Sequence, residues 1–401
     1  MSPPAPVPLD EAQARLLAGV TPLPAEDLPV ADASGRYLAQ DLHARRTQPA
    51  ADLSAMDGYA VRADDLAGPW TVVGESAAGH PFAAQLASGQ AIRISTGAHL
   101  PVGHCAVLLQ ENVERAGDRV TLTSTDGPTP RHIRRAGFDF ATGHLLLDHG
   151  VRLDPARIAL ALSGGHRTAL VGRMPRVAII DSGDELAADP ETVLPHQIPA
   201  SNGAMLAAMT APFAAHVQRL GPVQDRLDDM VAAFAAAEDA DVIVTSGGAS
   251  VGDHDLVRPA LEAWGAEIDF WRIAMKPGKP LMVARKGGTI VLGLPGNPVS
   301  SHVTAFLFVL PLLRALAGAA RPLPRAIILP VGADLPAVGN RTEFVRAVLG
   351  ENGAIPVREQ DSSAQVALAG ADALVRREIG APAARTGDLL PVYLLRNGGI
   401  A

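Results

Sequence analysis

The rhythm of apolar and polar positions changes several times along the chain. "LDEAQARLLAGV" sets apolar residues at helical spacing from Leu9, with Asp10 as the expected N-cap. "LPVADASGRYLAQDLHAR" reads as an extended piece followed by a helical turn. From about residue 46 the period shortens. "WTVVGES", "GQAIRISTG", "AVLLQENVE" and "RVTLTST" alternate between Gly, Asp and Pro breaks, which predicts a β-rich unit to about residue 133. "DPARIALALSGG" returns to helix, with Asp154 as cap and Pro155 at the first helical position.

Residues 175–318 carry a third rhythm. "RVAIID", "DVIVTSGG", "PLMVAR" and "TIVLGLPGNP" are buried-strand runs. "SNGAMLAAMTAPFAAHVQRLG", "DLVRPALEAWG" and "VSSHVTAFLFVLPLLRALAG" lie between and after them as helices. Strands alternating with helices predict a doubly wound parallel sheet. "GAARPLPRA" reads as a linker, and the short alternating runs beyond it predict a small C-terminal β domain.

Composition narrows the classes. At 401 residues the chain has room for two to four domains, and 48% hydrophobic with 19% charged residues describes a soluble globular protein. Aromatics at 4% and a net charge of −8 argue against a nucleic-acid partner, which wants stacking platforms and a basic surface. A single cysteine, Cys105, excludes an intramolecular disulfide or a cysteine-built metal cluster within one chain. The N-terminus lacks the basic and apolar regions of a signal peptide. The most apolar window contains Pro311 and Arg314, so no membrane span and a cytoplasmic location are expected.

Ligands of open parallel sheets collect beyond the carboxyl ends of the strands. Three glycine- and hydroxyl-rich loops would fall there: "DSGDEL", "TSGGASVGD" and "GLPGNPVSSH". Any one of them could be an ordinary strand-to-helix turn. Together they point to a phosphate-containing ligand, held by backbone N–H groups and by hydroxyls such as Ser182, Ser246, Ser250 and Ser300. Neither common nucleotide fingerprint, G-x-G-x-x-G or the P-loop, is present in them. In "MKPGKPLMVAR" two lysines, Lys276 and Lys279, bracket a Pro-Gly turn, and the chain has only one other, Lys286. A compact ammonium suits an oxyanion. Carboxylates at Asp57, Asp139, Glu185, Asp241, Asp253 and Asp255 would complete a site for Mg²⁺-assisted chemistry on a phosphoanhydride. The histidines form neither a zinc motif nor part of a nucleophile elbow.

The stretches "SAMDGYAVR", "RISTGAHLPVG", "IRRAGFD", "SGDEL", "VTSGGASVGDHD", "KPGKP" and "LPGNPVSS" follow one another as they do in molybdopterin molybdenumtransferases. The chain resembles that family, which is related to the C-terminal domain of gephyrin, from about Asp10 to Ala317 and more loosely beyond. The resemblance implies a multidomain α/β fold. Residues 1–45 with 139–172 would form an elongated α+β domain, and 46–138 an inserted β-rich domain. Residues 173–320 would be the molybdopterin-binding α/β domain, and 321–401 a C-terminal β-barrel. It further implies a homodimer whose active sites are completed across the two chains. The family reaction inserts molybdate into adenylyl-molybdopterin with Mg²⁺ and releases AMP.

Carried over residue by residue, the resemblance puts Ser182, Gly183, Ser246, Gly247, Gly248, Ser250, Pro295, Gly296, Asn297 and Ser300 on the phosphate or pterin. Lys276 and Lys279 would face phosphate or molybdate charge. Glu185, Asp241 and Asp255 would serve Mg²⁺. Asp57 would likewise serve Mg²⁺ or orient substrate, with Thr96, Arg134 and Asp139 contributed across the dimer. Implied partners are the molybdopterin adenylyltransferase and molybdoenzyme apoproteins. Two departures stand out: Ser182 where the family usually has Thr, and Ala200 where it usually has Asp before Ser201-Asn202. The alternatives are an adenylyltransferase, which needs only the sheet domain, a non-catalytic molybdopterin-binding scaffold, and a general phosphate-binding protein that releases no AMP.

Overall fold

The computed structural model describes residues 6–247 and 256–396. At its centre is a six-stranded sheet in the order His216–Val223, Arg176–Ser182, Val242–Ser246, Thr289–Leu294, Pro280–Lys286, Glu267–Arg272. The first four strands are parallel, and the last two run antiparallel to their neighbours. The expected doubly wound parallel core carries two antiparallel strands at one edge. Pro280–Lys286 turns back through Gly287-Gly288 directly into Thr289–Leu294, and a two-residue hairpin joins only antiparallel strands.

Both faces of this sheet are covered, as the uninterrupted apolar strands require. Val177, Ile179, Val242, Val244 and Leu292 pack into one core with Leu206 and the helical segment Pro298–Leu316. Ala178, Ile180, Ile243 and Val291 pack into another with Met230, Phe234, Leu261 and Trp264. The segment Pro298–Leu316 is long and apolar enough to cross a membrane, yet 89% of its apolar window is buried inside the protein. Its middle, Ala305–Val309, is a π turn just before Pro311. Proline has no N–H to donate and crowds the carbonyl four residues back. That carbonyl belongs to Leu307, and the buried Gln13 Nε2 donates to it at 2.8 Å.

Gln13 lies on the first helix, Leu9–Ala18, which packs against the α/β sheet rather than within the elongated unit's own core. Leu9, Ala12 and Leu16 are buried in the core of the α/β sheet because their stripe matches the face of the Pro298–Leu316 helix. Asp10 is not the cap; it sits in the first turn, where Arg376 donates to both of its oxygens. The elongated unit proper pairs Ala25–Pro29 with Thr168–Gly172 and Leu42–His43 with Leu145–Leu147, around a core of Val30, Leu38, Leu42, Leu153 and Val171. Asp154 caps its helix by accepting from Arg157 N at 2.9 Å.

The chain leaves and re-enters this unit to make a second six-stranded sheet spanning Gly58–Leu122. Alternate residues of its strands feed two small cores, Tyr59 and Val61 on one face, Ala60, Ile92 and Ile94 on the other. In the C-terminal unit, Ala326–Pro330, Leu389–Leu394, Ala373–Arg377, Thr342–Gly350 and Gly353–Pro356 pair successively antiparallel. A bridge between Val331 and Ala354 returns to the first strand and closes the ring. Closure removes the exposed edges, as in a small barrel.

Candidate active site

The carboxyl ends of the parallel strands open onto a cleft of about 1370 Å³. One wall is built by the loops after Ser182 and Leu294 with Ser246, Gly247 and Leu256–Val257; the facing wall is the C-terminal unit, through Arg341, Glu359–Ser363 and Gln365. The sequence-predicted Ser182, Gly183, Glu185, Ser246, Gly247, Lys276, Lys279, Pro295, Gly296, Asn297 and Ser300 all line it. The two lysines arrive from an unexpected direction. Met275–Lys276 adds as a short parallel strand to Thr342–Glu343 of the barrel, and Lys276 Nζ pairs with Glu343 Oε1 at 3.5 Å. Gly278 makes the turn between the lysines at φ +99°, where a Cβ would lie 2.4 Å from Thr304 Oγ1. Lys279 and Arg341 have no ion pair among the described residues, so their charge is available to an anion.

The glycines contribute shape more than donors. Gly183 N–H donates to Val223 O at 3.1 Å and Gly247 N–H to Leu294 O at 3.2 Å, so these two amides are already engaged. Both residues sit at positive φ, +148° and +99°, which lets the chain turn away from the sheet without a side chain in the cleft. Asn202 ties two of the loops together. Its Nδ2 donates to Ser246 Oγ at 2.9 Å and to Gly296 O at 2.7 Å. Across the cleft Asn297 Nδ2 donates to Ser362 Oγ at 3.0 Å, fixing the proline-glycine loop to the barrel.

Asp181 is a residue that the sequence reading passed over, although an acid at the end of the β-branched run "RVAII" was the available signal. It is 4% exposed at the floor of the cleft. Ser246, its register partner on the adjacent parallel strand, and Gly203 N–H are the polar groups facing it, while Oδ1 has no partner. Burial pushes its carboxyl up to about 6, against the pull of those groups and of Arg219. Gly203 makes this approach possible, since a Cβ there would stand 2.0 Å from Asp181 Oδ2. Asp225 was also missed; it and Asp184 exchange backbone-to-carboxylate hydrogen bonds at 3.0 and 3.3 Å beside the cleft.

Asp241 is not part of this site. It precedes Val242–Ser246, at the opposite end of a parallel strand from the ligand edge. Arg173 donates to both its oxygens at 2.9 and 3.1 Å, and Arg176 N donates at 2.7 Å. Burial works to raise its pKa, but these donors outweigh burial and hold the carboxyl below the usual range. It is a structural ion pair. Gly248, Ser250, Asp253 and Asp255 lie outside the described residues.

Asp57 and Thr96 are brought together, but not into the cleft of their own chain. The pairing of Gly58 with Ile94 sets Thr96 N and Oγ1 on Asp57 Oδ1, at 2.7 and 3.1 Å, and these bonds hold the exposed carboxyl below its ordinary value. Gly58 is required here because a Cβ would collide with Leu108 O at 1.9 Å. Arg134 and Asp139 are exposed on the neighbouring "IRRAGFD" loop, which Asp52 holds by accepting from Arg135 and Ala136 N. None of the four lines the cleft.

This architecture matches known proteins end to end. Residues 7–165 match the model described as MoeA N-terminal region (domain I and II), 178–315 the probable molybdopterin binding domain, and 329–395 the MoeA C-terminal region (domain IV). Over 315 residues, 77% of this chain and 78% of the relative, it is 38% identical to the molybdopterin molybdenumtransferase of Haemophilus influenzae.

The chain belongs to the molybdopterin molybdenumtransferase family.

The Bacillus subtilis molybdopterin molybdenumtransferase is 32% identical over 98% of this chain and 94% of its own. The crystal structure of a molybdopterin biosynthesis MoeA protein from Pyrococcus horikoshii OT3 superposes with a TM-score of 0.82, at 25% identity, over 97% of this chain and all of that one. In family terms, the cleft lies between the probable molybdopterin binding domain and the MoeA C-terminal region, while Asp57 and Thr96 belong to the N-terminal region.

Proposed function

We propose that this chain is an enzyme that takes adenylyl-molybdopterin and molybdate, opens the phosphoanhydride, and yields molybdenum cofactor and AMP. Two metal–sulfur bonds to the pterin dithiolene replace two molybdate oxygens, which leave as water with the two thiol protons and two more from solvent. The phosphoanhydride P–O bond breaks with gain of a water or molybdate oxygen at phosphorus. The observation that carries the reading is the cleft itself: three strand ends, two lysines bracketing a Pro-Gly turn and Arg341 face one cavity large enough for an adenylylated pterin. Lys276, Lys279 and Arg341 would offset charge on the phosphates and the incoming oxyanion. Ser246, Asn297 and Ser300 would orient them.

The same cleft tests the fit of Mg²⁺. Five carboxylates (Asp181, Glu185, Asp225, Glu359 and Asp361) line it against three cations, a balance that repels a bare polyphosphate. Among the described residues no group of three acidic or histidine side chains could hold a metal by itself. A hard cation held by Glu185 and completed by substrate phosphates and water fits both facts. When bound it would neutralise phosphate charge. The cluster of Asp57 and Thr96 suits a role from the partner subunit of a homodimer, because its carboxylate is ionised, oriented and unused within its own chain. A cytoplasmic location, supply of substrate by a molybdopterin adenylyltransferase and transfer of product to molybdoenzyme apoproteins complete the proposal.

The test is AMP release from adenylyl-molybdopterin with and without molybdate and Mg²⁺, beside Asp57→Ala. Release that needs both ions and collapses in the variant supports the transferase and the shared site. Tight binding without AMP release leaves a scaffold instead.

A further inference from the structure

Within the cleft, the least expected group for an anion site is the buried carboxyl of Asp181. The ligand proposed above is anionic, and this inference rests on that reading. Asp181 and Ser246 are register partners side by side on adjacent parallel strands, and Ser246 Oγ accepts from Asn202 Nδ2 at 2.9 Å. A hydroxyl has one proton to give and two lone pairs to fill. If Asp181 is ionised, the single Ser246 proton is committed to it, and the serine can offer the cleft only a lone pair. With Asp181 as the neutral acid, its own O–H can donate to Ser246 Oγ. Asn202 fills the other lone pair, and the Ser246 proton is released toward the cleft.

We propose that Asp181 is a positioning residue that acts through Ser246. In its acid form it turns the serine into a hydrogen-bond donor for the bound oxyanion, so that anion binding is accompanied by uptake of one proton.

The surroundings favour this. Asp181 is 4% exposed, its Oδ1 is buried without a partner, and no salt bridge involves it among the described residues. An unpaired buried oxygen is least costly when it carries no charge. Arg219, on the neighbouring edge strand, is the cation acting on it. The other charged groups of the cleft are Glu185, Asp225, Glu359 and Asp361 on the acidic side and Lys276, Lys279 and Arg341 on the basic side. The acids and an incoming anion both push Asp181 toward its protonated form. Its ordinary acidity is already weakened by burial, to about 6.

Sulfate is the appropriate probe, because it is a tetrahedral dianion that does not itself titrate between pH 6 and 8.5. Binding to the full chain is measured by calorimetry across that range, in two buffers of different ionisation enthalpy. The expected affinity falls with pH, approaching tenfold per unit above pH 7 or ~30-fold from 7 to 8.5, with close to one proton taken up per sulfate. Asp181→Asn, which cannot ionise, is expected to lose both the slope and the proton uptake. Ser246→Ala, which breaks the relay while leaving Asp181, is expected to flatten the slope to the part due to direct charge repulsion and to bind more weakly at pH 6. A wild-type profile that is flat, a slope that survives in Asp181→Asn, or one undiminished in Ser246→Ala overturns the proposal. Because the readout is sulfate and proton binding rather than AMP release, it fails or stands separately from the transferase reading.

Discussion

Replacing Asp181 by Asn is expected to stabilise the protein at neutral pH while leaving its stability near pH 4.5 unchanged. There the charge cost removed and the amide cost added are both about 1 kcal/mol. The wild-type carboxyl titrates at about 6 in the folded chain, against an ordinary value of 3.8. Each tenfold change in acidity is worth about 1.4 kcal/mol, so keeping this group ionised above pH 6 costs the folded state about 3 kcal/mol. The sign follows from the raised value. Below about 4 the group is protonated whether the chain is folded or not, and no cost arises. Between 4 and 6 the unfolded chain has lost its proton and the folded chain has kept it, so the cost grows until both are ionised. Asparagine removes the charge and keeps an oxygen for Gly203 N–H and Ser246. Its amide must find a new place, which costs about 1 kcal/mol. The net gain at pH 8 is then about 2 kcal/mol. For a domain of 150 to 250 residues that is a rise in Tm of about 4–8 °C. Thermal scans of both proteins at pH 8 and pH 4.5 measure it, with the α/β domain's transition followed separately if the domains melt apart. An equal or lower Tm for the variant at pH 8 would refute the claim that this carboxyl is held against its charge.

Other expectations separate structure from chemistry. Asp241→Ala should lower stability by about 3 kcal/mol, since it strands the Arg173 guanidinium, without changing sulfate affinity or Mg²⁺ dependence in the folded fraction. Denaturant melts beside binding assays check both halves. In the wild-type chain the depressed Asp241 carboxyl should make this stability fall away as pH drops through the acid range, an effect absent from the variant. Gln13→Ala leaves the buried Leu307 carbonyl without its donor and should cost about 1–3 kcal/mol in a urea titration. Gly278→Ala forces a side chain onto Thr304 at positive φ and should weaken sulfate binding by displacing both lysines; unchanged affinity would mean the lysines act independently of that turn.

The sequence alone determined much of this protein, because local rules suffice for some features. Continuous apolar runs marked the buried strands and alternating ones the β-rich units, Asp154-Pro155 marked a helix start, and the glycine-rich loops fell at strand ends by the chain's own order. The motifs carried the family. Long-range register decided the rest. The two-residue hairpin reversed the edge of the sheet, and the first helix left its sequence neighbours because its apolar stripe fits the π-bent Pro298–Leu316 helix. Asp241 and Asp181 show the limit most clearly. Both are acids bordering apolar strands, and composition cannot tell them apart. Strand direction puts Asp241 at the end away from the ligand, against two arginines, and Asp181 at the cleft floor, against a helix amide and a serine. Burial and partners, which exist only once the strands are aligned, make one carboxylate a structural anchor and the other a poised acid.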